Sequence, residues 1–140
     1  MNNRLAGVVV LVVASLPAYG EQSISWRNYV IHYTAFESTL IPEEVAAANG
    51  VVRSSNRLVT NIVIKQKNRN ETVPAKVEGT VTNLLNQTSE LTFREVNERD
   101  AVYYLASQVV DEQDTLRFNV KIRPTGEDEV YSLEFIRTWN

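Results

Sequence analysis

A chain of 140 residues with no cysteine, one histidine and a formal charge of −3 has the size of a single small domain. Without Cys it cannot build a disulfide framework, a zinc ribbon, an iron–sulfur cluster or a thiol nucleophile, and one His cannot fill a His-rich metal cage. The composition, 44% hydrophobic and 22% charged, is that of a globular domain, and its weak acidity gives no long-range pull on nucleic acid or anionic lipid.

Positions 1–20 differ from the rest. Arg4 gives a positive start, Leu5 to Ala14 is an unbroken apolar run, and Ser15-Leu16-Pro17 breaks it. Ala18-Tyr19-Gly20 then puts small residues at the two positions a signal peptidase reads. This order predicts a secretory signal over 1–20, cleaved after Gly20. The apolar core is about half the roughly 20 residues a membrane span needs. No Cys is available to carry a lipid, so the mature form is expected to be free of the membrane. It would comprise residues 21–140 as one domain with a formal charge of −4, since only Arg4 is lost among the charged residues. A chain of that size can bury roughly two-thirds of its surface and fold alone.

The mature chain reads as strands. Tyr29, Ile31, Tyr33 and Ala35 alternate with other residues in the first. Phe36 to Asn56 interrupts the pattern, and within it Pro42-Glu43-Glu44-Val45-Ala46-Ala47-Ala48-Asn49-Gly50 carries the start and stop signals of a short helix. Leu58, Ile62 and Ile64 mark the next strand. Val73, Ala75, Val77, Gly79 and Val81 follow, with Lys76, Glu78, Thr80 and Thr82 opposite. Gly79 inside a strand predicts a bulge or a close backbone approach. Leu91 and Phe93 alternate with Thr92 and Arg94, and Ala101 to Val110 is apolar on both sides, as a central strand would be. Leu116, Phe118, Val120 and Ile122 alternate with Arg117, Asn119, Lys121 and Arg123, and Tyr131, Leu133, Phe135 and Trp139 line the last strand. Polar turn clusters separate these runs. About seven short strands predict an all-β fold, a two-sheet antiparallel sandwich of immunoglobulin-like type, with a small barrel as the alternative. The 36–56 insertion is expected either to carry function or to cap one open end of the sandwich.

The stretch from His32 to Thr39, with Pro42-Glu43 and Val45-Ala46, resembles a family of exported bacterial proteins called domain of unknown function 4426. Arg53-Ser54-Ser55-Asn56-Arg57, Thr82-Asn83-Leu84-Leu85 with Gln87, and Tyr103-Tyr104 extend the resemblance over Tyr29 to Trp139. It implies a small periplasmic protein of Gram-negative bacteria and supplies no catalytic residues. It also implies Asn at positions 34 and 37, where this chain has Thr34 and Glu37.

No serine-hydrolase elbow, zinc-protease helix, phosphate loop or dinucleotide fingerprint occurs. His32 lies in a strand with no nucleophile pattern beside it, which reads as a hydrogen-bonded strand histidine. Acidic loop clusters at Glu43-Glu44, Asp111-Glu112 with Asp114, and Glu127-Asp128-Glu129 are the one route to calcium, but the ordered spacing of a calcium loop is absent. The sequons Asn70-Glu71-Thr72 and Asn86-Gln87-Thr88 are incidental if the bacterial resemblance holds. The aromatic residues fall mostly at core positions of strands.

The candidate binding segment is Arg53, Ser54, Ser55, Asn56 and Arg57, where two guanidinium groups bracket short polar side chains that could receive a carboxylate. The alternative is structural: Arg53 and Arg57 satisfy loop carbonyls or pair with Glu43 or Glu44. No catalytic residue, metal or cofactor is expected. The expected function is a non-enzymatic periplasmic binding or protein-interaction module with an unidentified protein partner. A small-ligand or carbohydrate binder is second and a small hydrolase third. A deep pocket favours the second, and a flat surface with an apolar patch favours the first.

Overall fold

A computed structural model describes residues 21–111 and 113–139. The expected signal at 1–20 and its cleavage after Gly20 lie outside the described residues. The described strands are β1 (Gln22–Trp26), β2 (Tyr29–Glu37), β3 (Arg57–Gln66), β4 (Ala75–Thr82), β5 (Thr88–Leu91), β6 (Arg94–Glu98), β7 (Ala101–Val109), β8 (Asp114–Pro124) and β9 (Tyr131–Trp139). They form two antiparallel sheets, one of five strands in the order β1-β2-β3-β7-β6 and one of four in the order β5-β4-β8-β9. With β1 set aside, these orders reproduce the A-B-E-D and C′-C-F-G sheets of an immunoglobulin sandwich.

Period-two side chains build the core between the sheets. Leu116, Phe118, Val120 and Ile122 of β8 are buried while Arg117, Lys121 and Arg123 face water. They meet Ile31, Leu58, Ile62, Ile64 and Tyr104 from the facing sheet. The aromatic rings join this core, with Phe118 and Phe135 stacked at 4.6 Å between centroids. Gly79 is a close approach: a Cβ there would lie 2.7 Å from the Asn119 carbonyl oxygen on the paired strand β8.

The described residues hold nine strands where the periodicity predicted about seven. The two additional ones, β1 and β6, share a cause. Each joins its neighbour through a two-residue turn, Arg27-Asn28 or Arg99-Asp100, with Trp26 paired to Tyr29 and Glu98 to Ala101. Tight hairpins with this backbone favour Gly or Asn at the first turn position. Here Arg occupies it, at φ 55° in Arg27 and 57° in Arg99, so the usual turn signal is missing. Arg27 is held by ion pairs to Glu127 and Glu129 and lies over the Trp26 ring. The predicted Leu91–Phe93 strand is also corrected: β5 ends at Leu91, and after Thr92-Phe93 the chain crosses to the other sheet as β6.

The insertion between β2 and β3 contains a 3-10 turn at Ser38–Leu40 and the helix α1 (Glu43–Ala48), followed by Asn49 and by Gly50 at φ 67°. It lies across the outer face of the five-stranded sheet. Ile41, Ala46 and Val51 pack there on Phe36, Val59, Val96, Tyr103 and Leu105, forming a second apolar cluster. Strand β7, apolar on both faces, is needed for both clusters: Tyr104 and Ala106 point into the sandwich, Tyr103 and Leu105 toward the insertion.

Candidate functional site

The 53–57 segment braces the insertion. Arg53 donates through Nε to the Ile41 carbonyl (2.7 Å) and through Nη2 to the Thr39 carbonyl (2.9 Å), and its Nη1 lies 3.5 Å from Glu43 Oε1. Buried Ser38 donates its hydroxyl to the Ser54 carbonyl (2.9 Å) and accepts from the Ser54 amide (2.8 Å). Ser54 Oγ bonds Asn56 Oδ1, and the Asn56 carbonyl accepts from the Val110 amide at 2.8 Å. Ser55 is exposed. Arg57 opens β3 and reaches across to Ser107 Oγ on β7 at 3.3 Å. The two guanidinium groups therefore serve separate partners, and Arg53 fastens both loop carbonyls and the first turn of α1.

A different constellation forms beyond the apolar cluster on the outer face of the five-stranded sheet. Thr34 pairs with Asn61 and His32 with Val63 across β2 and β3, and Asn61 pairs with Leu105 across β3 and β7, so side chains from the three strands converge there. They surround a cavity of about 50 Å³. Its innermost groups are Thr34, Asn61 and Tyr103, which are 2%, 4% and 2% exposed. Val63 and Thr72 are among the walls, and partly exposed Glu21, His32 and Lys65 also line it.

The three innermost groups are polar, and none has a partner. Thr34 Oγ1, Asn61 Oδ1 and the Tyr103 hydroxyl are three of the four buried, unpartnered side-chain polar atoms among the described residues. The fourth, Asn119 Oδ1, belongs to the other sheet, where Asn119 Nδ2 donates to Glu134. A buried polar atom without a partner costs about 1–3 kcal/mol. All three belong to residues that line one cavity, and a volume of about 50 Å³ can hold water or a small molecule.

Electrostatically, the cavity keeps its inner groups neutral. Burial holds the Tyr103 hydroxyl well above the usual phenol range, so it stays a proton donor at neutral pH. Burial, aided by the Lys65 ammonium, pushes the His32 imidazole below its usual 6.5, while Glu21, whose Oε1 lies 3.6 Å from His32 Nδ1, partly opposes this. Sequence reasoning placed His32 in a strand but missed Asn61 and Tyr103. The available signal was Asn61 itself, a carboxamide within the apolar run Leu58 to Ile64.

A second exposed feature is the turn after β4. Asn83 Oδ1 accepts from the Leu85 amide (3.0 Å) and the Gln87 amide (2.9 Å), and Asn83 Nδ2 donates to Gln87 Oε1. Asp114 Oδ1 accepts from the Leu84 amide at 3.0 Å. The result is a braced turn that leaves Leu84 and Leu85 69% and 75% exposed.

The acidic loops serve neighbouring groups. Glu127 accepts from the Tyr29 hydroxyl (2.9 Å) and pairs with Arg27, Glu129 also pairs with Arg27, and Asp114 holds the Leu84 turn. Among the described residues, no three His, Cys, Asp or Glu side chains gather as a metal site would require.

The fold and site define a two-sheet antiparallel sandwich with a small, mainly apolar cavity on the outer face of its larger sheet. The chain belongs to the family described as domain of unknown function (DUF4426), whose model matches residues 24–139. It is similar to a DUF4426 family protein of Pseudomonas aeruginosa PAO1, at 33% identity over 85% of this chain and 94% of that one, with a TM-score of 0.76. It also shares its fold with FetP of uropathogenic Escherichia coli. A copper-bound FetP variant aligns at 10% identity over 84% of this chain and 93% of that one, with a TM-score of 0.62. FetP as isolated aligns at 10% identity over 84% and 92%, with a TM-score of 0.61. No curated protein sequence matches the chain. Among the described residues, His32 and Glu21 lie close to one another without a third His, Cys, Asp or Glu beside them.

Proposed function

We propose that this DUF4426 protein is a non-enzymatic periplasmic module that binds a small molecule in the cavity between β2, β3 and β7. One observation carries the reading: Thr34, Asn61 and Tyr103, each with a buried polar atom that lacks a partner, line one small cavity. Such groups destabilise the empty fold, and an occupant that satisfies them recovers that loss as binding energy. A preformed pocket with a few convergent polar groups is the usual form of a small-molecule site. The non-enzymatic reading is supported by the hydroxyls of Thr34 and Tyr103, which have no hydrogen-bonded base.

The test uses the low-molecular-mass fraction of periplasmic extract, added to the exported protein and to its Asn61→Leu and Thr34→Val variants. The fraction should raise the melting temperature of the unsubstituted protein and leave the variants unmoved. Equal shifts in all three, or none in any, would overturn the reading.

The braced turn at 83–87 favours a second reading, contact with a periplasmic protein. Two leucines held outward on a fixed backbone can enter a partner's apolar pocket with little ordering cost. Leu84→Ser with Leu85→Ser should then abolish capture of that partner while the melting temperature stays within about 2 °C, in line with surface substitutions.

A further inference from the structure

Among the described residues, β1 and β6 form the edges of one sheet and β5 and β9 those of the other. Natural edges are guarded by shortness, charge, Pro or a bulge. β1, β5 and β6 have only four or five residues each, and β6 carries Arg94, Glu95 and Glu98. β9 differs. It has nine residues without Pro, Lys or Gly, and its register with β8 runs unbroken from Tyr131 to Trp139. Its one basic side chain, Arg137, is drawn inward, with Nε donating to the Ala35 carbonyl (3.0 Å) and Nη1 to the Thr138 carbonyl (2.9 Å). Open space lies beside its centre, where a groove lined by Glu134, Phe135 and Ile136 reaches Gln22 and Tyr33 of the facing sheet.

We infer that this edge is a dimer interface, in which a second copy of the chain pairs its own β9 antiparallel to the first about a two-fold axis at Phe135.

In that register the strand is complementary to itself. A two-fold axis normal to the sheet keeps each face on its own side, so the axis falls at a residue and not between two. Phe135 is the midpoint of β9, and an axis there pairs the whole strand. Any other axis leaves part of each strand unpaired. On the inner face Phe135 meets its own copy, and Tyr131 meets the partner subunit's Trp139, aromatic pairs of the kind that stabilise cross-strand contacts. In the single chain these rings are only half-buried, with Tyr131 against Trp26 at 5.6 Å and Phe135 against Tyr33 at 4.8 Å.

The outer face adds charge complementarity. Glu134 lies opposite the partner subunit's Ile136, a residue 65% exposed in the single chain. Arg117 is the β8 neighbour of Ile136. Each Glu134 therefore looks across that isoleucine at the partner subunit's Arg117, about 10 Å away between backbones, two strand spacings that the long side chains can bridge. Within its own chain Glu134 bonds Asn119 and Arg117 bonds Asn86, and among the described residues neither is in an ion pair. The axis supplies the missing pair twice.

The experiment combines mass with register. Sedimentation equilibrium of the exported protein up to millimolar concentration should show monomer and dimer in equilibrium. The chain has no cysteine, so single introduced thiols report the pairing. Glu134→Cys and Ile136→Cys change exposed positions, and both variants should fold. In the paired strands these two positions lie opposite one another, about 4.5–5.5 Å apart between Cα atoms, which a disulfide spans. Each position and its own copy lie two residues out of register, beyond that span. Diamide should therefore convert an equal mixture of the two variants to covalent dimer and leave either variant alone largely monomeric on a denaturing gel. A single monomer mass at every concentration, or a mixture that cross-links no better than the separate variants, would overturn the proposal.

Discussion

Tyr103 and Tyr104 are adjacent on β7, nearly equally buried, and differ in what their hydroxyls touch. Tyr104, on the inner face, donates to Glu95 Oε1 at 3.0 Å and accepts from the Ala75 amide at 2.7 Å. Its hydroxyl pKa is pushed up to about 12, chiefly by burial. Tyr103, on the outer face, touches no polar partner. Phe at either position keeps the ring and removes only the oxygen. At 104 that strips the Ala75 amide of its acceptor and breaks a bond to a carboxylate, for a loss of about 2–3 kcal/mol. At 103 no bond is lost and one unsatisfied group disappears, so stability should stay level or rise by up to about 1 kcal/mol. At an unfolding entropy of about 2.1 cal/mol/K per residue, each kcal/mol moves the melting temperature of a domain this size by about 4 °C. Tyr104→Phe should therefore melt about 8–12 °C lower, and Tyr103→Phe should melt level with the unsubstituted protein or up to about 4 °C higher. Thermal and urea unfolding followed by circular dichroism would read both, with unchanged m-values as the check that only stability moved. Equal losses in the two variants would mean that the Tyr103 hydroxyl already has a partner, and the cavity would lose its unsatisfied floor.

Four further outcomes are expected. Arg53→Ala should lower stability by about 1–3 kcal/mol, because two loop carbonyls lose their donor; a melting curve unchanged from the parent would refute this structural role and favour recognition. Gly79→Ala should cost about 1–3 kcal/mol, since the new methyl meets the backbone of β8 and not a flexible side chain; urea unfolding would show a neutral result if the strands can separate freely. Burial depresses the folded-state pKa of His32, so its contribution to stability is complete above about pH 6.5 and is lost as the pH falls toward the depressed value. His32→Gln should flatten this part of the melting profile between about pH 5 and 7, and parallel profiles would refute it. The exported product should begin at or within a few residues of Glu21 by intact mass, and a membrane-embedded product retaining Met1 would reject the signal.

By itself the sequence determined the elements whose side chains alternate strongly, because burial on one face of a strand is written in every second residue. That is why β8 is legible from Leu116 to Ile122, and β7 from its apolar residues on both faces. The helix ends were legible for a similarly local reason, with Pro42 before α1 and Asn49-Gly50 after it. Tertiary structure decided what depends on distant partners. Arg27 and Arg99 adopt left-handed turns that no local propensity announces, and β1 and β6 exist only through pairing with β2 and β7. The choice between bulge and close approach at Gly79 fell to the Asn119 carbonyl 40 positions away. The insertion lies across a sheet face and not at an open end of the sandwich, because β2, β3, β6 and β7 together present an apolar surface there. The cavity belongs wholly to this second kind of information. Thr34, Asn61 and Tyr103 are ordinary strand residues in sequence, and only the register of three strands brings them to one cavity, each with a buried polar atom that lacks a partner.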